Sequence, residues 1–221
     1  MIGRWFRLRR ARLALASQDP KTRIAGLDML PDLEDQRLAE LVTTMAVTDP
    51  DLDSRKAAQA FVLKHASPLV IRFLRQHLLT SMQTSPRRYA AELLAGIGGT
   101  DSVNALAKAV EDFSFPEMQV LCARLLGQTR EPAALPLLKK YADDAFWYPS
   151  RKRRAGGSGI DIGQNEAVAM QDGRTKTAAL EGLAIIGGDE ALAVIRRYTK
   201  SRDFTIRGTA EKLLREIDAR T

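Results

Sequence analysis

Cysteine is almost missing from this sequence. Cys122 stands alone in 221 residues, which excludes an internal disulfide framework and points to a reducing compartment, with the cytoplasm as the expected location. Histidine is nearly as scarce: His65 and His77 are the only two. Their spacing supplies no cluster of the kind a zinc site uses, so neither a metal nor a cofactor is expected. No apolar run approaches the ~18–20 residues needed to cross a bilayer. The opening MIGRWFRLRRARLALASQ is basic and ends in small residues, but its apolar centre is too short for a secretory signal. Aromatics make up only 6% of the chain; what fills it instead is leucine and alanine, residues that lose little on entering a helix.

Charge is uneven. The chain carries 34 basic and 27 acidic residues, a formal net charge of +7. Arg4, Arg7, Arg9, Arg10 and Arg12 lie in a segment with no acid before Asp19, and Arg151, Lys152, Arg153 and Arg154 are consecutive. Outside those two clusters the chain is close to neutral.

The stretch LLAGIGGTDSV at 93–103 has a glycine cluster that invites comparison with phosphate-binding loops. Its glycines follow an apolar helical pattern, whereas nucleotide motifs need a strand before the glycines. Its real use is as a ruler. Leu94 has apolar partners nine and twelve residues on, Val103 and Leu106, and a step of 32 gives Leu126, Leu135 and Leu138. A step of 32 backward gives Val62, Ile71 and Leu74, and a further step of 33 gives Met29, Leu38 and Leu41. Small residues precede each reference position by four: Ala25, Ala58, Ala90 and Cys122. The next match, Leu183 with Leu192, Ile195 and Ala179, lies 57 residues on, implying an insertion of about 25 residues. A last step of 31 reaches Leu214 and Ala210.

Within each unit the apolar residues recur at spacings of three and four, the mark of two amphipathic helices. Gly98-Gly99-Thr100-Asp101, Arg130-Glu131-Pro132 and Gly187-Gly188-Asp189 separate them as turns. Neither helix buries its stripe alone, but stacked neighbours do. The expected fold is all-α: a right-handed α-α superhelix, or solenoid, of about five helix pairs and a terminal helix. Residues 1–18 form a basic capping helix and 19–145 the first four pairs. A flexible loop spans 146–172 between the fourth and fifth pairs, and 173–221 hold the fifth pair and the last helix.

LLAGIGGTDSVNAL, LLGQTREPAALPLL and GLAIIGGDEALAVI resemble HEAT repeats, specifically the short type of phycobilisome-lyase-related proteins, over roughly residues 20–144 and 173–221. The resemblance implies a helical repeat architecture. It leaves function open among scaffolds, adaptors, bilin lyases and nucleic-acid-associated proteins.

Candidate chemistry is sparse, and an enzyme is not expected. His65 falls at a packed helical position, and His77 shares its register with Tyr141 and Tyr198. Cys122 occupies the slot otherwise held by alanine. The pairs Glu111-Asp112 and Asp143-Asp144 share one offset after a second helix, where they suit turns better than general acid–base work. Binding residues are easier to nominate. At offsets 13 and 14 the second helices carry Arg75, Lys108, Lys139, Lys140, Arg196 and Arg197, turned roughly 100° and 200° away from the core-facing position. Stacking aligns these into a basic ladder. The insertion opens with Phe146, Trp147, Tyr148 and Pro149 before Arg151–Arg154. Trp147 and Tyr148 beside those cations suit stacking on single-stranded nucleic acid, or else anchor a solvated loop on the solenoid. For the N-terminal helix, with Ile2, Trp5, Phe6 and Leu8 among its arginines, the readings are a cap over the first repeat, a membrane-surface helix or a polyanion-binding arm; a cap is expected. The expected function is a noncatalytic scaffold whose concave groove and ladder bind an acidic protein segment or helix. Nucleic-acid binding through the ladder and 147–154 is the alternative, and a bilin-lyase-like subunit the third.

Overall fold

A computed structural model describes residues 2–147 and 162–219, with side chains for 6–147 and 166–219. Among these residues every regular element is helical. The chain divides into two compact units, residues 1–97 and 98–221. The first holds α1 (Ile2–Leu15), α2 (Pro20–Asp28), α3 (Gln36–Thr48), α4 (Leu52–Lys64), α5 (Pro68–Thr80) and α6 (Thr84–Ile97). The second holds α7 (Gly99–Val110), α8 (Pro116–Gln128), α9 (Ala134–Ala142), α10 (Ile162–Ile186), α11 (Gly188–Tyr198) and α12 (Phe204–Asp218). Each unit has the all-helical, stacked-pair architecture expected from the period. The reference residues Val62, Leu94, Leu126, Leu183 and Leu214 lie on α4, α6, α8, α10 and α12, and their partners on the intervening second helices.

Each unit is built by stacking. In the first, α2 packs on α4 and α4 on α6, while α3 packs on α5; in the second, α8 packs on α10 and α10 on α12, while α9 meets α11. Ala58, Val62, Ala90, Leu94, Cys122, Leu126, Ala179 and Leu183 are buried as the repeat requires. The first repeat is out of phase with its expected register by one residue. Ala25 is exposed and Met29 only half-buried, while Gly26 and Leu30 are buried. The step back from Val62 is therefore 32, not 33. Gly26 holds the small slot because a Cβ there would already lie 3.1 Å from Ala14 and Leu15 of α1.

The sequence signal for the helix starts is carried by side chains that accept from the first turn. Asp19, Asp35, Asp51, Ser67 and Asp203 all do so, and Pro20, Pro68 and Pro116 follow the caps where a missing N–H costs nothing. Thr22, through its hydroxyl and its amide, holds the Asp19 carboxyl below the usual range. Ser54 does the same for Asp51, its amide contributing most. Gly98 (φ 72°, ψ −160°) and Gly187 (φ 71°, ψ −164°) are matching corners in a region only glycine enters readily. The fourth repeat turns the same corner with Arg130 at φ 53°.

A second periodic feature lies seven residues before each reference position: Arg23, Arg55, Arg87, Gln119, Lys176 and Arg207. Arg23 donates to the Ser17 carbonyl at 3.0 Å, Arg55 to Asp49 at 2.5 Å, Arg87 to Ser81 at 2.6 Å and Arg207 to Ser201 at 3.0 Å. Each accepting carbonyl lies six residues back, beyond the preceding helix. Gln119 donates to the Val110 carbonyl at 2.8 Å. A cation here satisfies carbonyls that a helix end leaves without partners and complements the dipole. Lys176 pairs instead with Asp144, 32 residues back. The insertion thus leaves the corner it interrupts still tied.

That insertion differs from the expected loop. Its last part is helical: α10 begins at Ile162, eleven residues before the predicted start. Glu166–Gln171 reads EAVAMQ, rich in good helix formers, and Gly173 costs only about 1 kcal/mol within such a helix. Tertiary contacts offset that cost. The Gln171 side chain donates to the Pro116 carbonyl at 2.7 Å, and Asp172, Thr175 and Lys176 are buried.

Candidate binding surface

The second helices deliver the cations named from the sequence. Arg75 is exposed on α5, in the first unit. In the second unit Lys108 on α7, Lys140 on α9, and Arg196 and Arg197 on α11 are exposed, and Lys139 is half-exposed. Their core-facing neighbours Leu106, Leu138 and Ile195 are fully buried, which fixes the helix rotation. The ladder positions are not equivalent. Lys139 pairs with Glu190 at the start of α11, and Lys140 pairs with Glu111 at 2.8 Å. Lys108 and Arg196 have no ion-pair partner among the described residues, and Arg197 lies over the ring of Tyr198.

Glu111 also accepts from the Tyr141 hydroxyl at 2.9 Å. Burial, reinforced by that carboxylate, pushes the Tyr141 phenol far above the ordinary tyrosine range, so it stays a neutral donor. Tyr198, at the same repeat position, donates to the Ala142 carbonyl at 2.5 Å and is also shifted upward by burial. His77 is half-buried near Thr44, 3.4 Å away, and burial lowers its pKa despite Glu40 nearby. His65 closes α4 stacked on Phe61, with ring centroids 4.3 Å apart. Cys122 is buried on α8. Every one of these groups has a structural setting, including the acidic pairs: Asp143 accepts from the Ala145 amide and Asp144 from Lys176.

Trp147 does not stand on the surface as a binding residue would. It is fully buried, its indole N–H donating to the Tyr141 carbonyl at 2.8 Å. Phe146 meets it edge-on at 4.8 Å and Phe113 at 6.2 Å, and the Lys140 ammonium sits over Phe146 at 4.6 Å. These aromatics anchor the start of the insertion on α9; of the two roles the sequence leaves open for Trp147, its packing fits the anchor and not stacking on nucleic acid. Tyr148 and Arg151, Lys152, Arg153 and Arg154 lie outside the described residues.

The first unit carries a separate basic face. On α1, Ala11 and Leu15 are buried, while Arg7, Arg9, Arg10 and Arg12 are exposed. The helix packs on α2 and α3.

Residues 71–155 match the family model for HEAT repeats. That segment, less than half of the chain, is similar to HEAT repeats. The same period continues outside the matched segment, through α2–α4 and α10–α12. No curated protein matches the chain. Among solved structures, human deoxyhypusine hydroxylase in complex with glycerol shares 17% identity, with a TM-score of 0.48 over 96% of this chain and 74% of that one. An engineered protein shares 17% identity, with a TM-score of 0.42 over 96% of each chain. Among the described residues, no helix is long and apolar enough to cross a membrane, and no group of three or more metal-binding side chains converges.

Proposed function

We propose that this chain is a noncatalytic HEAT-repeat scaffold that binds an acidic protein segment or helix along its second helices. The observation that carries the reading is the common register of Lys108, Lys140 and Arg197, with Arg196 one position before it, all exposed on α7, α9 and α11 while the residues beside them are buried. In HEAT arrays the second helices commonly face the groove, so cations at one register present a stripe of positive charge to a partner. The pairs Lys139–Glu190 and Lys140–Glu111 do not oppose this. Exposed ion pairs are worth about 0–1 kcal/mol, so a partner carboxylate displaces Glu190 or Glu111 at little cost. The settings of His65, His77, Cys122 and the acidic pairs, all occupied by packing or capping, support a noncatalytic role.

The test is binding of Glu/Asp-rich peptides to the full chain and to a Lys108→Glu/Arg196→Glu variant. Both substitutions are exposed and lie outside the ion pairs. The reading expects at least a tenfold loss of affinity in the variant; unchanged affinity contradicts it. The exposed arginines of α1 favour nucleic acid as the second reading. Binding to DNA or RNA falls steeply with salt, its slope counting the phosphates neutralised. No binding at low salt removes that alternative.

A further inference from the structure

One cavity in the second unit is not accounted for by the repeat. It has a volume of about 460 Å³ and lies between α10, the end of α11 and the start of α12. The insertion contributes to its wall through Ala169. The first helices α4, α6, α8 and α12 all begin ten residues before their reference positions, at Leu52, Thr84, Pro116 and Phe204. On α10 that place is Gly173, and Ala169, which also lines the cavity, belongs to the extra turns before it. An ordinary repeat lacks the turns that carry Ala169.

The lining is cationic. Lys176, Arg197, Lys200 and Arg202 face the cavity against two acids, Asp144 and Asp203. Both acids are engaged: Asp144 by the buried Lys176, and Asp203 by the amides of Thr205 and Ile206, which it caps at 2.8 and 3.1 Å. Arg197 donates only to the neighbouring Tyr198 hydroxyl, at 3.3 Å. Lys200 and Arg202 have no acidic partner among the described residues, and both are exposed. Ser201 accepts from the Asp203 amide, which leaves its hydroxyl hydrogen available to donate. Three cations without carboxylates, a free hydroxyl donor and an excess of two positive charges therefore share one small cavity.

We propose that this cleft binds a phosphoryl group, held by Arg197, Lys200 and Arg202 with Ser201 as a neutral donor. A phosphate monoester carries about −1.5 to −2 charges at neutral pH, which matches the excess, and offers three acceptor oxygens to the guanidinium forks. The volume lies in the range of roughly 300–1,000 Å³ typical of small-ligand sites. Arg197 is shared with the ladder, but Lys200 and Arg202 are not ladder positions, so substituting those two tests the site apart from the acidic-segment reading.

Calorimetric titration of the full chain at fixed ionic strength tests this, with inorganic phosphate, phosphoserine, a serine-phosphorylated peptide and N-acetyl-aspartate as probes. Phosphate-bearing probes are expected to bind and raise Tm. A Lys200→Ala/Arg202→Ala variant is expected to lose at least tenfold in affinity. An Arg7→Ala/Arg10→Ala variant on α1 is expected to lose none. Tightest binding of the peptide assigns the site to a phosphorylated side chain, and equal binding of phosphate and phosphoserine assigns it to a small phosphorylated ligand. Absence of phosphate binding, equal loss in both variants, or N-acetyl-aspartate binding as tightly as phosphoserine overturns the proposal.

Discussion

Gly127 on α8 lies directly against the backbone of Gly182 on α10. A Cβ on Gly127 would come within 2.3 Å of the Gly182 Cα, and one on Gly182 within 3.0 Å of the Ala123 carbonyl oxygen. The first helices of the repeats before and after the insertion thus approach as closely as backbones allow. Gly127→Ala must push them apart and is expected to destabilise the protein by about 3 kcal/mol, the upper range for overpacking. Gly208, inside α12, has nothing within 4 Å of its Cβ position. Gly208→Ala is expected to raise stability by about 0.5–1 kcal/mol. Urea denaturation of both variants checks the contrast, and equal effects would contradict it.

Trp147 offers an optical test of the anchored insertion. The only other tryptophan is Trp5, so Trp5→Phe isolates its emission. That emission is expected to be blue-shifted and shielded from acrylamide. Trp147→Ala is expected to cost about 3–5 kcal/mol, the range for emptying a large buried aromatic site. Red-shifted, readily quenched emission would contradict the packing against Phe113 and Phe146.

Arg23 and Asp49 form the most enclosed ion pair among the described residues, with two bonds of 2.8 and 2.7 Å and side chains 11% and 5% exposed. Asp49→Ala leaves a buried guanidinium with only the carbonyls of Ser17 and Gln18. The expected loss is about 3 kcal/mol, since removing one partner strands the other. A change below ~1 kcal/mol in the denaturation free energy would show that those carbonyls suffice.

How far the sequence reveals these features depends on how far the partners lie apart. The period was legible because Leu94, Val103 and Leu106 repeat by residue type, and it located the insertion through the step of 57 to Leu183. It misplaced the first repeat because Met29 and Leu30 are both apolar and only burial separates them. The position seven before each reference escaped notice because arginine, glutamine and lysine share it, and only their acceptors across the corner show that each is a donor tying it. Gly127 and Gly182 look like ordinary helix glycines until their helices are packed. Among the candidate site residues, exposure of the ladder followed from register alone. The partners of Lys139 and Lys140 did not, because Glu190 and Glu111 are 51 and 29 residues away. Trp147 stood open between anchoring and binding because Arg151–Arg154 follow closely in sequence, whereas its neighbours in space, Phe113, Phe146 and Tyr141, decide for anchoring.

His77 gives stability a pH dependence of known sign. Burial lowers its folded-state pKa below the ordinary histidine value of 6.5, outweighing the opposite pull of Glu40. As pH falls below 6.5 the unfolded chain takes up the proton first, so stability present at neutral pH is lost on acidification. His77→Tyr restores the residue type found at the equivalent positions 141 and 198, and is expected to flatten the decline between about pH 7 and pH 5. Denaturation midpoints across that range decide it; an unaltered slope in the variant would place the titrating group elsewhere.

The central claim, that the second helices present the binding surface, is tested most directly by hydrogen–deuterium exchange with and without a bound acidic peptide. Protection gained at the C-terminal turns of α7, α9 and α11, around Lys108, Lys140 and Arg196, is the predicted result. Protection confined to α1, or to the first helices α8, α10 and α12, would contradict it.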